Sequence, residues 1–294
     1  MSVVLNKDTK VVVQGATGSV GQFHISQMQE YGDYVVAGCT PGKGGQEVHG
    51  VPVFNTVSEA KDATGCNTSL IFVPARFAKA AVVEAVDAGM KTVIVITEHI
   101  PVHDAAHFVN YAKKHGVTLI GPNCPGACTA GDAKVGILPG QIFTPGGPVA
   151  VASKSGTLTY EIVGALTEAG IGQTTCLGLG GDPIPGTNLL EAVKLFEQDD
   201  EAKAIVLVGE IGGGAEEEAA AYIESVNLTA RKPVYAFVAG RSAPEGKQMG
   251  HAGALVSKGV GTAESKMNAF KKAGVKVVDF PTDIIALVKA DLGL

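Results

Sequence analysis

Short apolar runs rich in β-branched residues alternate with segments of helical periodicity over the first 120 residues of the chain. The clearest helical spacing lies at residues 77–88 and 103–115. Alternating strands and helices predict a parallel, doubly wound sheet, whose ligands bind beyond the carboxyl ends of the strands. The strands are expected in five apolar runs, at residues 10–14, 34–37, 70–73, 92–96 and 118–120.

A second strand–helix series starts after a join rich in proline and glycine, bracketed by residues 121–126 and 144–148. Such composition is typical of a boundary between domains. We therefore expect one domain over 1–121, a connector over 122–147 and a second α/β domain over 148–294. Its strands are expected at residues 149–152, 175–179, 204–208, 234–238 and 275–278. Its helices are expected at about residues 158–169, 189–198, 216–226 and 264–273.

The composition limits the classes of protein to which the chain can belong. A chain of 294 residues with 46% hydrophobic and 18% charged residues suits a compact protein of two domains. A net charge of −6 without a basic stripe argues against general nucleic-acid binding. No run is long enough for a membrane span, and residues 1–9 do not form a secretory signal. We expect a cytoplasmic location, or the mitochondrial matrix if a transit peptide has been removed.

The five cysteines are scattered and odd in number. The close pair, Cys124 and Cys128, has no second pair at zinc-ribbon spacing. We therefore expect buried free thiols in a reducing compartment and no metal site. The set is Cys39, Cys66, Cys124, Cys128 and Cys176.

A glycine-rich turn at residues 15–21 follows the first strand and leads into a helical segment. The free N–H groups and positive dipole end of a helix N-terminus attract phosphate, so this pattern is typical of a nucleotide-binding βα unit. A tight βα turn without a ligand would show the same glycines. Thr17, Lys43 and Thr97 all follow expected strands, and this convergence favours a ligand site.

The loop after the second strand indicates which nucleotide to expect. A NAD-binding domain would carry Asp or Glu there, to accept hydrogen bonds from the ribose hydroxyls. This loop instead carries Lys43 among the glycines of residues 40–45, and a lysine suits a phosphate group. The pattern disfavours a NAD-dependent oxidoreductase and fits coenzyme A (CoA) with its 3′-phosphate. A solvated loop charge is the alternative for Lys43.

The stretch 240–254 holds a single histidine, His251, after an expected buried strand. Glu210 ends another strand of the same sheet, and a carboxylate bonded to one imidazole nitrogen leaves the other free as a nucleophile. Residues 153–157 open a helix and form either a second phosphate cradle, a helix cap, or both. The remaining histidines are expected to have no catalytic role: His24, His49, His99, His103, His107 and His115.

Taken together, these features resemble the α subunits of succinyl-CoA synthetase (succinate–CoA ligase, ADP- or GDP-forming). The resemblance runs essentially from end to end. It rests on ordered motifs at residues 15–21 (GATGSVG), 40–45 (TPGKGG), 121–126 (GPNCPG), 153–161 (SKSGTLTYE), 180–186 (GGDPIPG), 209–213 (GEIGG) and 250–254 (GHAGA).

The resemblance implies a Rossmann-like CoA-binding domain followed by a flavodoxin-like ligase domain with a phosphohistidine loop. In that family the histidine matching His251 takes phosphate from ATP or GTP and passes it to succinate, and CoA then attacks succinyl phosphate. This is a reaction of the tricarboxylic acid cycle. By the same resemblance Glu210 orients the histidine, Ser155 and Gly156 stabilise the phosphohistidine, and Tyr160 binds succinate. The implied CoA-binding positions are Thr17, Gly18, Ser19, Val20, Lys43, Ile96, Thr97 and Glu98.

The resemblance also implies a partner, because the family carries the nucleotide and its Mg²⁺ on a separate β subunit. The expected assembly is αβ or α2β2, with no metal held by this chain. Three positions depart from the family pattern: Val20, His99 and Arg241. Two other functions stay open, a ligase for another dicarboxylate such as malate and a non-catalytic CoA-binding sensor.

Overall fold

The computed structural model describes residues 4–244, 246–257 and 259–294. Residues 1–3 of the expected first domain, and Glu245 of the glycine-rich stretch, lie outside the described residues. The strands of the first half are β1 (Val11–Gln14), β2 (Val35–Cys39), β3 (Glu47–Val48), β4 (Val51–Phe54), β5 (Thr68–Ile71), β6 (Thr92–Val95) and β7 (Thr118–Ile120). The helices between them are α1 (Ser19–Gln29), α2 (Val57–Thr64), α3 (Ala75–Asp87) and α4 (Val102–Lys114).

The second half repeats the alternation. Its strands are β8 (Gly126–Thr129), β9 (Ala133–Gly136), β10 (Val149–Ser153), β11 (Gln173–Gly178), β12 (Ala204–Glu210), β13 (Val234–Ala239) and β14 (Lys276–Val277). Its helices are α5 (Gly156–Glu168), α6 (Leu189–Glu197), α7 (Ala215–Ser225), α8 (Ala263–Lys272) and α9 (Asp283–Leu292).

The first sheet has the order β3-β4-β2-β1-β5-β6-β7; all of its pairs are parallel except β3–β4, which is antiparallel. Without β3, the strands read 3-2-1-4-5-6 in chain order, which is the Rossmann arrangement. The strand order reverses between β1 and β5. A ligand crevice is therefore expected beyond the carboxyl ends of these two strands.

The second sheet has the order β14-β13-β12-β10-β11-β8-β9. Its five parallel strands, β10 to β14, follow the flavodoxin-like order 2-1-3-4-5, read from β11 outward. The predicted fold class is confirmed. The topological switch of this sheet lies between β10 and β12, which are paired neighbours whose carboxyl ends lie side by side.

The segment expected as a connector, residues 122–147, contributes strands to the second sheet. β8 and β9 form an antiparallel hairpin, and β8 pairs with β11. The sequence does not predict this hairpin, because its four-residue strands lie in a stretch rich in proline and glycine. β3, β4, α2 and α9 were also not predicted. The domain boundaries at 121 and 148 stay predictions.

One hydrophobic core cluster joins the two sheets. It contains Val13 and Ile94 of the first sheet together with Val135 and Leu177 of the second. A buried hydrogen bond, from the Tyr34 hydroxyl to the carbonyl oxygen of Lys134, also crosses between the halves at 2.5 Å. The described helices include none that is both long and apolar enough to cross a membrane.

The cysteines are buried and free, as predicted. Burial raises the pKa of the Cys39, Cys124 and Cys128 thiols to about 12. A thiol with a pKa this high is almost wholly protonated at neutral pH and is a poor nucleophile. The cysteines are therefore packing residues.

Candidate active site

A cleft of about 620 Å³ opens between the two halves, at the carboxyl edges of both sheets. It brings together most of the residues singled out from the sequence. The first half lines it with Val20, Ile96, Thr97 and Glu98, and the second half with Ser155, Gly156, Tyr160 and His251.

His251, which lines this cleft, forms a hydrogen bond with Glu210. Nδ1 of His251 lies 2.6 Å from Oε2 of Glu210, the last residue of β12. The carboxylate is buried, whereas about a third of the imidazole side chain is exposed. An ionised carboxylate only accepts hydrogen bonds, so the proton lies on Nδ1 and the lone pair on Nε2.

The surroundings of His251 act in opposite directions on its protonation. The hydrogen bond to Glu210 is the largest influence and raises the pKa of His251. Burial opposes that rise, and so does the positive charge of Lys154, while the charges of Glu210 and Asp182 add to it. The net result is a raised pKa, so a larger fraction of the ring is protonated at a given pH than in a free histidine.

The N-terminus of α5 faces the same cleft. Ser155 is the N-cap residue, and its hydroxyl accepts a hydrogen bond from the N–H of Leu158 at 3.3 Å. The next two residues, Gly156 and Thr157, line the cleft with His251. The first N–H groups of a helix lack intrahelical acceptors and attract anions. The segment can therefore serve as both helix cap and phosphate cradle.

Among the expected CoA-binding residues of the first two loops, Val20 lines the cleft, whereas Thr17, Gly18, Ser19 and Lys43 are not among its lining residues. Gly18 is the N-cap residue of α1, Ser19 begins the helix, and Val20 lines the cleft with about half of its surface exposed. The Thr17 hydroxyl lies 3.3 Å from that of Thr40. Thr40 opens the loop that carries Lys43, and its carbonyl accepts the N–H of Lys43 at 3.0 Å.

Two departures from the family pattern have defined contacts. His99 adopts a left-handed backbone (φ 61°) and lines a second cavity of about 350 Å³, which also contacts His251 and Glu98. Arg241 donates to Asp279 at 2.5 Å and to the carbonyl oxygen of Val278 at 2.6 Å. The side chain of Arg241 is therefore tied to the loop that follows β14.

The sequence predicts a role for Lys154 only as part of the segment 153–157, and none for Glu216 or Lys266, although these three charged residues form one cluster with Glu210. Nζ of Lys154 lies 3.8 Å from Oε1 of Glu210 and 3.2 Å from Oε1 of Glu216. Glu216 also pairs with Lys266, and both of these side chains are fully buried. Pairing of Ser153 with Val208 brings Lys154 to the end of β12. Knowing that β10 and β12 are neighbours would have been enough to predict that Lys154 lies close to Glu210.

Comparison with known proteins identifies the family. Residues 6–99 match the family described as CoA binding domain, and residues 152–276 match the one described as CoA-ligase. The chain is 56% identical to the succinate–CoA ligase [ADP-forming] subunit alpha of Staphylococcus aureus, over 97% of this chain and 93% of that protein. The corresponding protein of Staphylococcus epidermidis is 54% identical over the same shares. This chain belongs to the family of succinate–CoA ligase α subunits.

Solved structures share the fold of this α-subunit family member. ATP citrate lyase from Methanosaeta concilii superposes with a TM-score of 0.88 at 25% identity, over 99% of this chain. The chain spans about half of that protein, 51% of its length. The acetyl-coenzyme A synthetase 1 of Ca. Korarchaeum cryptofilum superposes over 93% of this chain with a TM-score of 0.76 at 21% identity, which shows the fold alone.

Proposed function

We propose that this chain is the α subunit of a succinate–CoA ligase. The reaction is the reversible formation of succinyl-CoA from succinate, CoA and a nucleoside triphosphate, and His251 carries the phosphoryl group. One observation carries the assignment: the 2.6 Å contact between Nδ1 of His251 and Glu210, beside a cleft that the N-terminus of α5 also lines. The names of the relatives, at 56% and 54% identity, supply the substrate.

The tautomer explains how the histidine accepts phosphate. Nε2 of neutral His251 attacks the terminal phosphorus atom of the nucleotide, and the nucleoside diphosphate leaves. The proton stays on Nδ1, where the buried carboxylate of Glu210 stabilises the positive charge that the ring gains on phosphorylation. Free N–H groups at the start of α5, next to Ser155, are placed to bind the phosphoryl oxygens.

The following two steps transfer the phosphoryl group to succinate and then form the thioester with CoA. A carboxylate oxygen of succinate attacks the phosphorus atom on His251. The bond from phosphorus to Nε2 breaks, so that His251 is released and succinyl phosphate forms. The CoA thiolate then attacks the acyl carbon, and inorganic phosphate leaves. We assign succinate to the neighbourhood of Tyr160, and CoA to Ile96, Thr97, Glu98 and the turn at residues 17–20.

The nucleotide and its Mg²⁺ are assigned to a β subunit, since the relatives are themselves named as α subunits. Those relatives are named ADP-forming, which favours ATP over GTP for this chain. The assembly is αβ or α2β2. A cytoplasmic location, or the mitochondrial matrix, stays a prediction.

Labelling of the assembled enzyme tests the role of His251. The chain is combined with its β subunit, Mg²⁺ and ATP or GTP labelled at the terminal phosphate, and acid-labile phosphate on this chain is counted. We expect stoichiometric labelling of wild type and none of His251→Asn, because an amide cannot replace the imidazole nucleophile. His103→Asn in the first half is the matched control and should label normally.

Acid-labile label persisting in His251→Asn at the wild-type level would overturn the assignment. Turnover with succinate and with malate then distinguishes the two acids. Faster turnover with malate would replace succinate as the substrate without affecting the phosphohistidine. A complex that binds CoA and takes up no phosphate at all would point to the non-catalytic sensor.

A further inference from the structure

A chain of buried charges runs from His251 into the interior of the second half. It passes through Glu210 at the end of β12, Lys154 after β10 and Glu216 in the first turn of α7 to Lys266 of α8. Five different segments of the second half contribute one member each. Lys266 also pairs with the partly exposed Glu217 at 3.1 Å. The proposed phosphoryl transfer uses only the first two residues, so the rest of the chain needs a separate explanation.

Glu216 is the centre of this chain. Its Oε1 accepts the backbone N–H of Glu210 at 3.1 Å and lies 3.2 Å from Nζ of Lys154. Its Oε2 pairs with Lys266, whose ammonium group also donates to the carbonyl oxygen of Gly213 at 3.0 Å. Burial alone would raise the pKa of Glu216, but Lys154 and Lys266 outweigh it and lower that pKa. Glu216 is therefore a buried anion that anchors Lys154.

The strand end is shaped to admit this side chain. A Cβ atom at Gly209 would lie 2.7 Å from Cγ of Glu216, closer than real side chains approach. The missing side chain at Gly209 lets Glu216 pass beneath the end of β12 and reach Lys154 and the backbone of Glu210. The position of Lys154 therefore follows from close packing as well as from charge.

The two oxygens of Glu210 have different surroundings. Oε2 accepts from His251, whereas Oε1 is buried and has no hydrogen-bond partner among the described residues. A buried carboxylate oxygen in this state is destabilising unless a nearby charge offsets it. Lys154, at 3.8 Å, is the cation found beside Oε1 in the described part of the chain.

We propose that Lys154 is a positioning residue for phosphoryl transfer. Its ammonium group, anchored by Glu216, holds Oε1 of Glu210 so that Oε2 points at Nδ1 of His251. It also limits how strongly this carboxylate draws a second proton onto the imidazole. The inference rests on the proposed function, since a protonated ring has no lone pair on Nε2 with which to attack phosphorus.

The sign of the effect follows from the charges that face His251. Glu210 and Asp182 favour the protonated ring, and Lys154 opposes them. Glu98 lines both cavities beside the ring and is a further anion on the first half. Without Lys154 the anions act unopposed, so the ring stays protonated up to a higher pH. The phosphorylation rate falls at low pH because the ring becomes protonated. This fall, the acid limb of the pH–rate profile, should then lie at higher pH.

Single-turnover labelling of the assembled enzyme, followed from pH 5.5 to 9, tests the proposal. In Lys154→Met we expect the acid limb to move to higher pH, with a rate about fivefold below wild type on that limb and recovery towards wild type above it. Lys154→Gln should give the same profile as Lys154→Met, and it takes the place of Lys154→Met if that variant does not fold. Lys154→Arg should restore the wild-type profile. Lys272→Met, which removes an exposed ion pair with Glu224, is the matched control.

An unchanged acid limb in both uncharged variants would overturn the proposal, and so would a loss equal at every pH, which indicates a merely structural role. Failure of Lys154→Arg to restore the profile would also count against it. Wild-type behaviour separates the two claims. If wild-type His251 takes up no phosphate, the proposed function is wrong. If wild type labels normally and the acid limb of the Lys154 variants is unchanged, only the role of Lys154 is wrong.

Discussion

At the scale of single residues, the imidazole of His251 rests directly on the backbone of Gly181. A Cβ atom at position 181 would lie 2.2 Å from Cγ of His251. The loop that carries the histidine is also tied there, since the N–H of Gly253 donates to the carbonyl oxygen of Gly181 at 3.0 Å. The ring position is therefore determined by a close backbone contact as well as by Glu210.

Gly181→Ala should displace the ring without dismantling the cleft. We expect histidine labelling to slow by about 100-fold, because a shift of about 1 Å at a reacting atom has an effect of that size. CoA binding to the complex, measured by calorimetry, should stay within about twofold of wild type. Gly164→Ala is the matched control, because its new methyl group enters open space inside α5. A Gly181→Ala enzyme that labels at the wild-type rate would contradict this account.

At the scale of elements, helices begin at the carboxyl edge of the second sheet, next to the candidate active site, and capping hydrogen bonds fix their ends. Asn188 and Glu191 form a capping box at the start of α6. The Asn188 side chain accepts the N–H of Glu191 at 2.9 Å, and Glu191 accepts the N–H of Asn188 at 2.8 Å. At the other end, the ammonium group of Lys232 donates to three carbonyl oxygens near the last turn.

Asn188→Ala should lower the free energy of unfolding by about 1 kcal/mol, because the N–H of Glu191 loses its acceptor. Asn188→Asp retains an acceptor at the same place and should lie within about 0.5 kcal/mol of wild type. Urea unfolding of the two variants, followed by circular dichroism, measures the difference. Equal stability of the two variants would show that the side-chain oxygen contributes nothing.

At the scale of the whole molecule, the two halves meet at a shared core while their sheet edges face one cleft. The proposed chemistry divides between them, with CoA at the first sheet and the phosphohistidine at the second. Lys43 is exposed, in the loop after β2, and is absent from the residues lining the cleft itself. A binding role for Lys43 therefore requires CoA to extend out of the cleft and over that loop.

Lys43→Ala tests this division. We expect the Kd for CoA to rise by about tenfold or more, because a charge-assisted bond to phosphate contributes roughly 1.5–3 kcal/mol and each 1.4 kcal/mol is about a factor of ten. Histidine labelling from the nucleotide should be unchanged, since it needs only the second half and the β subunit. Lys91→Ala, another exposed lysine of the first half, is the matched control. An equal loss of both activities in Lys43→Ala would refute the division of labour.

Much of the architecture follows from local sequence. Apolar runs and helical spacing predict the strands of both parallel series except β4, and β7 begins and ends at the predicted residues. Because parallel strands place their carboxyl ends at one edge, His251, Glu210 and Thr97 could be assigned to such edges before any contact was known. The hairpin β8–β9 escaped prediction because its short strands lie in a stretch rich in proline and glycine, and its place in the second sheet depends on β11, 46 to 50 residues further along the chain.

The sequence by itself determined which residues end strands, which open helices, and which family the chain resembles. Only the tertiary structure decided which of those ends meet. Glu210 and His251 are 41 residues apart, and their 2.6 Å contact depends on how the loop after β13 folds back across β12. Lys154 and Glu216, 62 residues apart, meet because β10 and β12 are neighbours. Periodicity is a local property, whereas strand order and close packing arise from the whole chain at once.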